Sequence, residues 1–334
     1  MSEKNYISWD EVTKSYKSIL IGNGFSINIS ENFKYDTLLD KCNLNSDTKK
    51  IFTRNETSNF EFILRKINDF LYLGKSLNIS NDSKNSLSNS YSNIKEELIK
   101  TVHNVHPSYD KINSRLEKIA PILLSFERIF TTNYDLLLYW SLMNSQKKFN
   151  DLLFWTENKY SKDKESYKLC FTKKTPKTGN TIIYYLHGSL FIKEYQGGRV
   201  QKLSRVTNLL EDIRESFDLG QTPLFVSEGT SEDKLNTINK SSYLCYCLDK
   251  FQNDINNLVI AGHSLSPKYD NHLIDALKSK IDAVTSFKIA IGIKKNITRN
   301  IDDWKSFFDE QLSKNAMNKL KLEFFDVNSC PLFP

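Results

Sequence analysis

Five short clusters of small, polar and ionisable residues each follow an apolar run. Gly22-Asn23-Gly24-Phe25-Ser26 follows Ile19-Leu20-Ile21. Thr131-Thr132-Asn133-Tyr134-Asp135 follows "ERIF", and His187-Gly188 follows "TIIYYL". Ser227-Glu228-Gly229-Thr230 follows "TPLFV", and Gly262-His263-Ser264-Leu265 follows "NLVIA". Glycines let a phosphate approach the backbone, and a helix opening after such a turn favours its charge. A histidine, with an ordinary pKa of about 6.5, can act as a general base. Each cluster also has a plainer use. Gly22 and Gly24 suit a tight turn, Asn133 and Asp135 a helix cap, His187 the core, and Ser264 another cap.

Short apolar strands alternating with helical patterns specify a parallel sheet with helices on both faces, an α/β Rossmann-like fold of about six strands. Strands are expected at Ser18 to Ile21 and within 127–135, 181–188, 222–229, 257–264, 287–293 and 320–327. Ligands of such sheets lie beyond the carboxyl ends of the strands, where all five clusters fall. "SWDEVTKSYK" reads as a short first helix, with Ser8 as N-cap and Glu11 completing a capping box. Between the first two strands, residues 31–118 read as a helical insertion within a single domain. Phe60, Ile63, Leu64, Ile67, Phe70 and Leu71 recur at helical spacing there. The Ser- and Asn-rich stretch 80–93 reads as an exposed loop.

The chain has 334 residues, 39% of them apolar and 26% charged, which suits a globular protein with a sizeable core. A net charge of +6 fits an anionic ligand without calling for nucleic acid, because the lysines are interspersed with acids. Five cysteines, an odd number without regular spacing, argue against a disulfide framework and suit a reducing cytoplasm. Cys245-Tyr-Cys247 lacks the second pair that a structural zinc site needs, so both read as buried thiols and no metal is expected. No apolar stretch is long enough to span a membrane and no signal peptide is evident, so a cytoplasmic protein is expected.

The dinucleotide fingerprint G-x-G-x-x-G fails at Ile27, where its third glycine would stand. Instead "GNGFS", "TTNYD", "LHG" and "GHSL", in this order, resemble the NAD-binding core of the sirtuins. More closely, "GNGFS" and "FVSEGTS…YL" resemble segments of bacterial sirtuin-like proteins of little-characterised function, a group linked to anti-phage NAD depletion. The resemblance implies that NAD is bound as substrate and cleaved to nicotinamide and ADP-ribose. Asn133 would hold the ribose hydroxyls and the attacking water, Asp135 the carboxamide, and His187 would be the base. Gly22, Gly24, Ser26, Gly262 and Ser264 would bind the diphosphate. Asn23, Phe25, Thr132 and His263 would complete the cofactor site, with Glu228 and Asp270 as ribose contacts or ordering residues. The resemblance further implies a homo-oligomer or an activating protein partner.

Two departures bear on the chemistry. Sirtuins carry Thr-Gln-Asn-x-Asp where this chain has Thr131-Thr132-Asn133-Tyr134-Asp135, and the two C-x-x-C pairs of their zinc module are missing. That module helps build the acyl-lysine cleft, so protein deacylation is not expected. Two other functions compete. One is a non-catalytic sensor of NAD or ADP-ribose. The other is a serine hydrolase using Ser264, although Ser266 breaks G-x-S-x-G and the last histidine, His272, lies only eight residues on.

Overall fold

β1 (Ser18–Ile21) is buried along its whole length, because it pairs on both edges and is covered on both faces. The chain is described here from a computed structural model covering residues 6–76, 79–143, 154–156, 169–173, 181–195, 198–203, 208–219, 221, 223–227, 229–294 and 299–333. After β1 come β2 (Arg128–Thr131), β3 (Phe154–Thr156), β4 (Leu169–Phe171), β5 (Ile182–Tyr185), β6 (Ile192–Tyr195) and β7 (Arg199–Lys202). β8 (Leu258–Ala261), β9 (Phe287–Ile293) and β10 (Leu320–Asp326) follow. The central sheet runs β10-β9-β8-β1-β2-β5, all parallel, with Ile19 opposite Ile129 on one side and Val259 on the other. Flanked by helices, it is the expected Rossmann-like α/β fold.

The helices before the second strand are α1 (Trp9–Ser15), α2 (Asn23–Ile29), α3 (Tyr35–Lys41), α4 (Ser46–Arg54), α5 (Phe60–Ser76), α6 (Asn81–Val105) and α7 (Tyr109–Leu123). Both halves of the Ser8–Glu11 capping box on α1 are formed. After β2 come α8 (Leu137–Met143), α9 (Leu209–Asp218), α10 (Ser231–Lys240), α11 (Ser242–Asn253), α12 (Pro267–Ala283), α13 (Ile301–Gln311) and α14 (Lys314–Lys319). No helix among the described residues is long and apolar enough to cross a membrane.

Three features depart from the sequence reading. Residues 81–105 form one continuous helix, not a loop followed by a helix. Ser80 caps it by accepting from the Ser83 N–H, and Ile94, Leu98, Val102 and Val105 bury its inner face. Leu87 and Tyr91 continue that stripe one and two turns earlier, so a few apolar anchors suffice in a polar sequence. Of the expected strand 222–229, residues 223–227 and 229 are described and form no sheet strand. Phe225 makes only an isolated bridge to Gly188, while Leu224 donates to Ile192 O (2.7 Å) and Val226 to His187 O (2.9 Å). It is an extended clamp on the loop after β5. A second, antiparallel sheet, β3-β4-β7-β6, was not expected. Its short strands, such as the mixed Arg199–Lys202, carry little periodic signal.

The helical insertion is fastened back onto the sheet layer. On α5, Glu61 bonds Lys234 Nζ of α10 at 2.8 Å, and the Asn68 side chain donates to Asp233. On α7, the Arg115 guanidinium donates to Asn28 O (2.8 Å) and Ile29 O (3.2 Å), satisfying carbonyls left open at the end of α2.

Candidate functional site

The turns after β1 and β8 pack backbone on backbone. A Cβ on Gly22 would lie 2.5 Å from Gly262 O, and one on Gly24 would lie 2.8 Å from Gly262 Cα. Gly262 itself has φ +66°, a conformation that favours glycine. Three amides of this turn are spent on backbone carbonyls. Gly22 donates to Ala261 O, Gly24 to Gly262 O and Phe25 to Gly22 O, at 2.9 to 3.1 Å. Close approach of two protein turns therefore accounts for these glycines. Phe25 is fully buried with its ring edge-on to Phe333, and Ser26 is fully buried as well. The cavity beyond the strands is lined in this region by Asn23, Gly262, His263 and Ser264, but not by Gly22, Gly24, Phe25 or Ser26.

The Asn-x-Asp loop after β2 locks onto the first turn. The Asn133 side-chain amide donates to Gly22 O (3.1 Å) and Ser26 Oγ (2.8 Å). Because a carbonyl can only accept, this fixes which end of the amide is nitrogen. The Ser26 hydroxyl donates to Asp135 Oδ2 at 2.5 Å, and Asp135 Oδ1 accepts from the Leu137 N–H at 2.9 Å, capping α8. Burial raises the pKa of Asp135, opposed by these hydrogen bonds. Asp135 thus fastens the loop with both oxygens while lining the cavity. Asn133 Oδ1 has no hydrogen-bond partner among the described residues, although the residue is only 6% exposed. A buried orphan acceptor costs about 1–3 kcal/mol unless a ligand or water supplies a donor.

His187 sits at the end of β5, held by Val226 N–H on its carbonyl and by Leu186 N–H on Thr131 O. Its Nε2 is 2.9 Å from Nε2 of His272, on α12. His272 Nδ1 is 3.0 Å from Ser231 Oγ, and its backbone N–H donates to the same oxygen at 2.8 Å. Burial first, then the charges of Lys234, His272 and His263, holds the pKa of His187 well below that of an ordinary histidine. His272 is pushed down to about 3, again chiefly by burial. A base with the ordinary pKa was expected at His187, and the structure corrects this: neutral imidazole is strongly favoured there.

Lys234 is fully buried between Glu61 (2.8 Å) and Asp270 (3.5 Å). Burial opposes its charge, but the two carboxylates outweigh that and raise its pKa. Asp270 lies at a kink in α12 and also accepts from the Ser266 N–H (3.3 Å). The same cavity, about 470 Å3, is roofed by Phe33, Tyr35, Leu38, Phe60, Leu98 and Val102 of the insertion. That volume is within the range of small-molecule sites.

The expected residues that line it are Asn23, Thr132, Asn133, Asp135, His187, Gly262, His263, Ser264 and Asp270. Glu228 lies outside the described residues. Ser264 is exposed, and no imidazole among the described residues reaches it, since His263 Nδ1 accepts from Leu265 N–H. Sequence reasoning did not assign Glu61, Lys234, Ser231, Arg299 or the pairing role of His272. The guanidinium of Arg299 rests on Trp304 and Phe307, lines the cavity, and keeps Nη1 without a partner among the described residues. Ser227 Oγ, also on the cavity wall, is orphaned likewise. An acceptor, a hydroxyl and a cation left open around one cavity suit a ligand with hydroxyls and an anionic group.

His106 ties the insertion to this floor. Its Nδ1–H donates to Pro107 O (2.9 Å), and Nε2 accepts from the Leu136 N–H (3.0 Å). Burial lowers its pKa to about 4. In the unfolded chain it titrates near the ordinary histidine value of 6.5. The neutral form is therefore needed in the fold, and its stability contribution, complete above that pH, is lost as pH falls toward 4. Each such histidine costs about 1.4 kcal/mol per pH unit in that window. The urea midpoint should fall steadily between pH 7 and pH 5, and His106→Gln, which keeps an acceptor, should reduce the slope by about one proton. A midpoint flat across that range would overturn the prediction.

A family model described as Domain of unknown function (DUF4917) matches residues 19–333, which span the sheet, the insertion and every residue of the cavity. No curated protein matches the chain.

Proposed function

Because the chain belongs to the family described as Domain of unknown function (DUF4917), with no activity to carry over from that description, we propose from the cavity itself that it is a sirtuin-like NAD glycohydrolase. It releases nicotinamide and ADP-ribose, and the resemblance of its motifs gives the reaction a setting in bacterial anti-phage defence by NAD depletion. The observation that carries the reading is the presence of Asn133, with its open acceptor, and His187 on one cavity wall at the strand ends. Asn133 Oδ1 suits a ribose hydroxyl or the attacking water. Arg299 and the start of α12 suit the diphosphate better than the turn after β1, where the Gly22, Gly24 and Phe25 amides are already used. Asp135 acts mainly by holding Asn133 and Ser26 in place.

The weak basicity of His187 is compatible with this chemistry. Nicotinamide leaves neutral from a positively charged pyridinium, so no general acid is needed. The sugar becomes oxocarbenium-like, and water attacking such a centre loses its proton readily. The apolar side chains of the roof lower the local dielectric above the polar floor, which strengthens the fixed dipoles there.

A second reading, a non-catalytic sensor of NAD or ADP-ribose, is favoured by the same depressed basicity. A serine hydrolase finds less support, since Ser264 has no base beside it among the described residues. Product analysis after incubation with NAD separates them. Nicotinamide and ADP-ribose in equal amounts are expected. Binding by calorimetry with NAD left intact, at high enzyme concentration and after assembly of any oligomer, would favour the sensor. Labelling of Ser264 by a fluorophosphonate would favour the hydrolase.

A further inference from the structure

His187 is a poor place to leave a proton. It is 2% exposed, and the charged groups around the imidazole pair are the Lys234 ammonium on α10, Asp270 on α12 and Glu61 on α5, with His263 at the turn after β8. The two carboxylates are already committed to Lys234, so an imidazolium beside it would be a second buried cation without a partner.

We propose that His187, His272 and Ser231 form a proton path, through which the proton taken from the substrate leaves the cavity at the start of α10. The proposal rests on the hydrolase reading above and assigns His272 and Ser231 as positioning residues of the same site. The three groups lie in a row: Nε2 to Nε2 at 2.9 Å, then Nδ1 to Oγ at 3.0 Å. His187 lines the cavity, and its Nδ1 is the ring nitrogen not used in the pair. Ser231 is partly exposed.

The path has two neutral states. In the receptive state His187 carries its hydrogen on Nε2 and donates it to His272 Nε2. His272 donates Nδ1–H to Ser231 Oγ, whose own hydrogen points to solvent. When water or a ribose hydroxyl gives its proton to His187 Nδ1, the Nε2 proton moves to His272 Nε2. The His272 Nδ1 proton moves to Ser231 Oγ, and the Ser231 hydroxyl proton passes to solvent water. One proton enters and one leaves, nothing is oxidised or reduced, and neither imidazole ends charged. In the second state Ser231 donates to His272 Nδ1 and His272 donates to His187; once the products have left, His187 Nδ1 gives its proton to water entering the cavity and the row runs in reverse, with Ser231 taking one proton from solvent.

Two measurements test it together. With 15N-labelled histidines, NMR should find both imidazoles neutral at pH 7 with complementary tautomers. Ser231→Ala should change the tautomer balance of His187, a residue that Ser231 does not touch. In mixtures of light and heavy water, kcat of the wild type should follow a curved dependence, from more than one proton in flight. Ser231→Ala should give a straight line with kcat lowered roughly 10-fold, and His272→Gln should lower it by about 100-fold. ADP-ribose affinity should stay within about twofold in both variants. A His187 tautomer indifferent to Ser231→Ala, or an unchanged isotope dependence, would overturn the path. Absence of NAD hydrolysis by the wild type would instead remove the hydrolase reading, and the tautomer result would still decide whether the three groups are coupled.

Discussion

Asn133→Ala should lower nicotinamide release by at least a factor on the order of 10²–10³, the loss seen when one preorganised polar group is removed from a reacting centre. The side chain has two jobs in the fold. Its nitrogen donates to Gly22 O and Ser26 Oγ, joining the turns after β1 and β2. Its oxygen, on a residue that lines the cavity, has no hydrogen-bond partner among the described residues. Alanine removes both, so a stability loss of about 1–3 kcal/mol is expected from the two hydrogen bonds lost, with Gly22 O keeping the Phe25 N–H and Ser26 Oγ keeping Asp135. That is small beside the loss of turnover, and thermal melting should separate the two. Asn133→Asp keeps the open acceptor but loses the donor, and sets a carboxylate against Gly22 O. It should cost more stability than alanine and recover no activity. If Asn133→Ala retains activity within about threefold of wild type, the assignment of this wall as the reacting centre fails.

Lys234→Met should be the most destabilising of the substitutions considered. The ammonium is fully buried and holds Glu61 of the insertion and Asp270 of α12 together. Removing one member of a buried ionic cluster leaves the remaining charges uncompensated, at a cost of about 3–5 kcal/mol. Glu61 retains some solvent contact, which places the expectation at the lower end. A fall in Tm on the order of 5–10 °C follows. Adding Glu61→Gln to Lys234→Met should recover part of the loss, because one stranded carboxylate is removed. The direction with pH is specific. Asp270, whose pKa is held low by Lys234 against the cost of burial, contributes stability above the ordinary carboxylate range. That contribution disappears as pH falls through its folded value. The wild-type advantage over Lys234→Met should therefore shrink toward acid pH. An advantage that grows on acidification would show that the cluster is not charged in the fold.

Much of the scaffold was legible because it depends on local patterns. The run Ser18 to Ile21 is a strand at those bounds, and the capping box at Ser8 and Glu11 is formed on both sides. Continuous apolar runs bounded by polar turns could hardly be placed except inside a parallel sheet. The helix over 81–105 was harder to see because serine and asparagine, which favour turns, fill its outer face, while Leu87 and Tyr91 alone carry the stripe there. "TPLFV" has the composition of a strand, yet its backbone partners lie on the loop after β5. Composition reports burial there and not the pairing partner.

The candidate site divides along the same line. Residues that follow strands, such as Asn133, His187 and Asp270's neighbours Gly262 to Ser264, could be found from position alone. The meaning of the glycines could not. Gly22 and Gly24 looked like room for a phosphate, and the space they save is taken by the turn at Gly262. Glu61 and Lys234 are far apart in sequence, and their types say nothing of pairing until α5 is laid against α10. His272 was weighed only as a base for Ser264, and its partner is another imidazole.

The position of β1 has a consequence for the making of the protein. This early strand is central in the sheet, and one of its two neighbours, β8, begins only at Leu258. A nascent chain emerging from the ribosome therefore carries β1 with one edge open until β8 has been made, at roughly 5–20 residues per second. The cavity also needs the turn after β8, the start of α12 and Arg299, all of which follow β8 in the chain. Chains that stop short of β8 would hold the helical roof and only the part of the floor that follows β1, β2 and β5. The cavity proposed to act on NAD is thus incomplete until β8 and Arg299 have been made, a delay that follows from strand order alone.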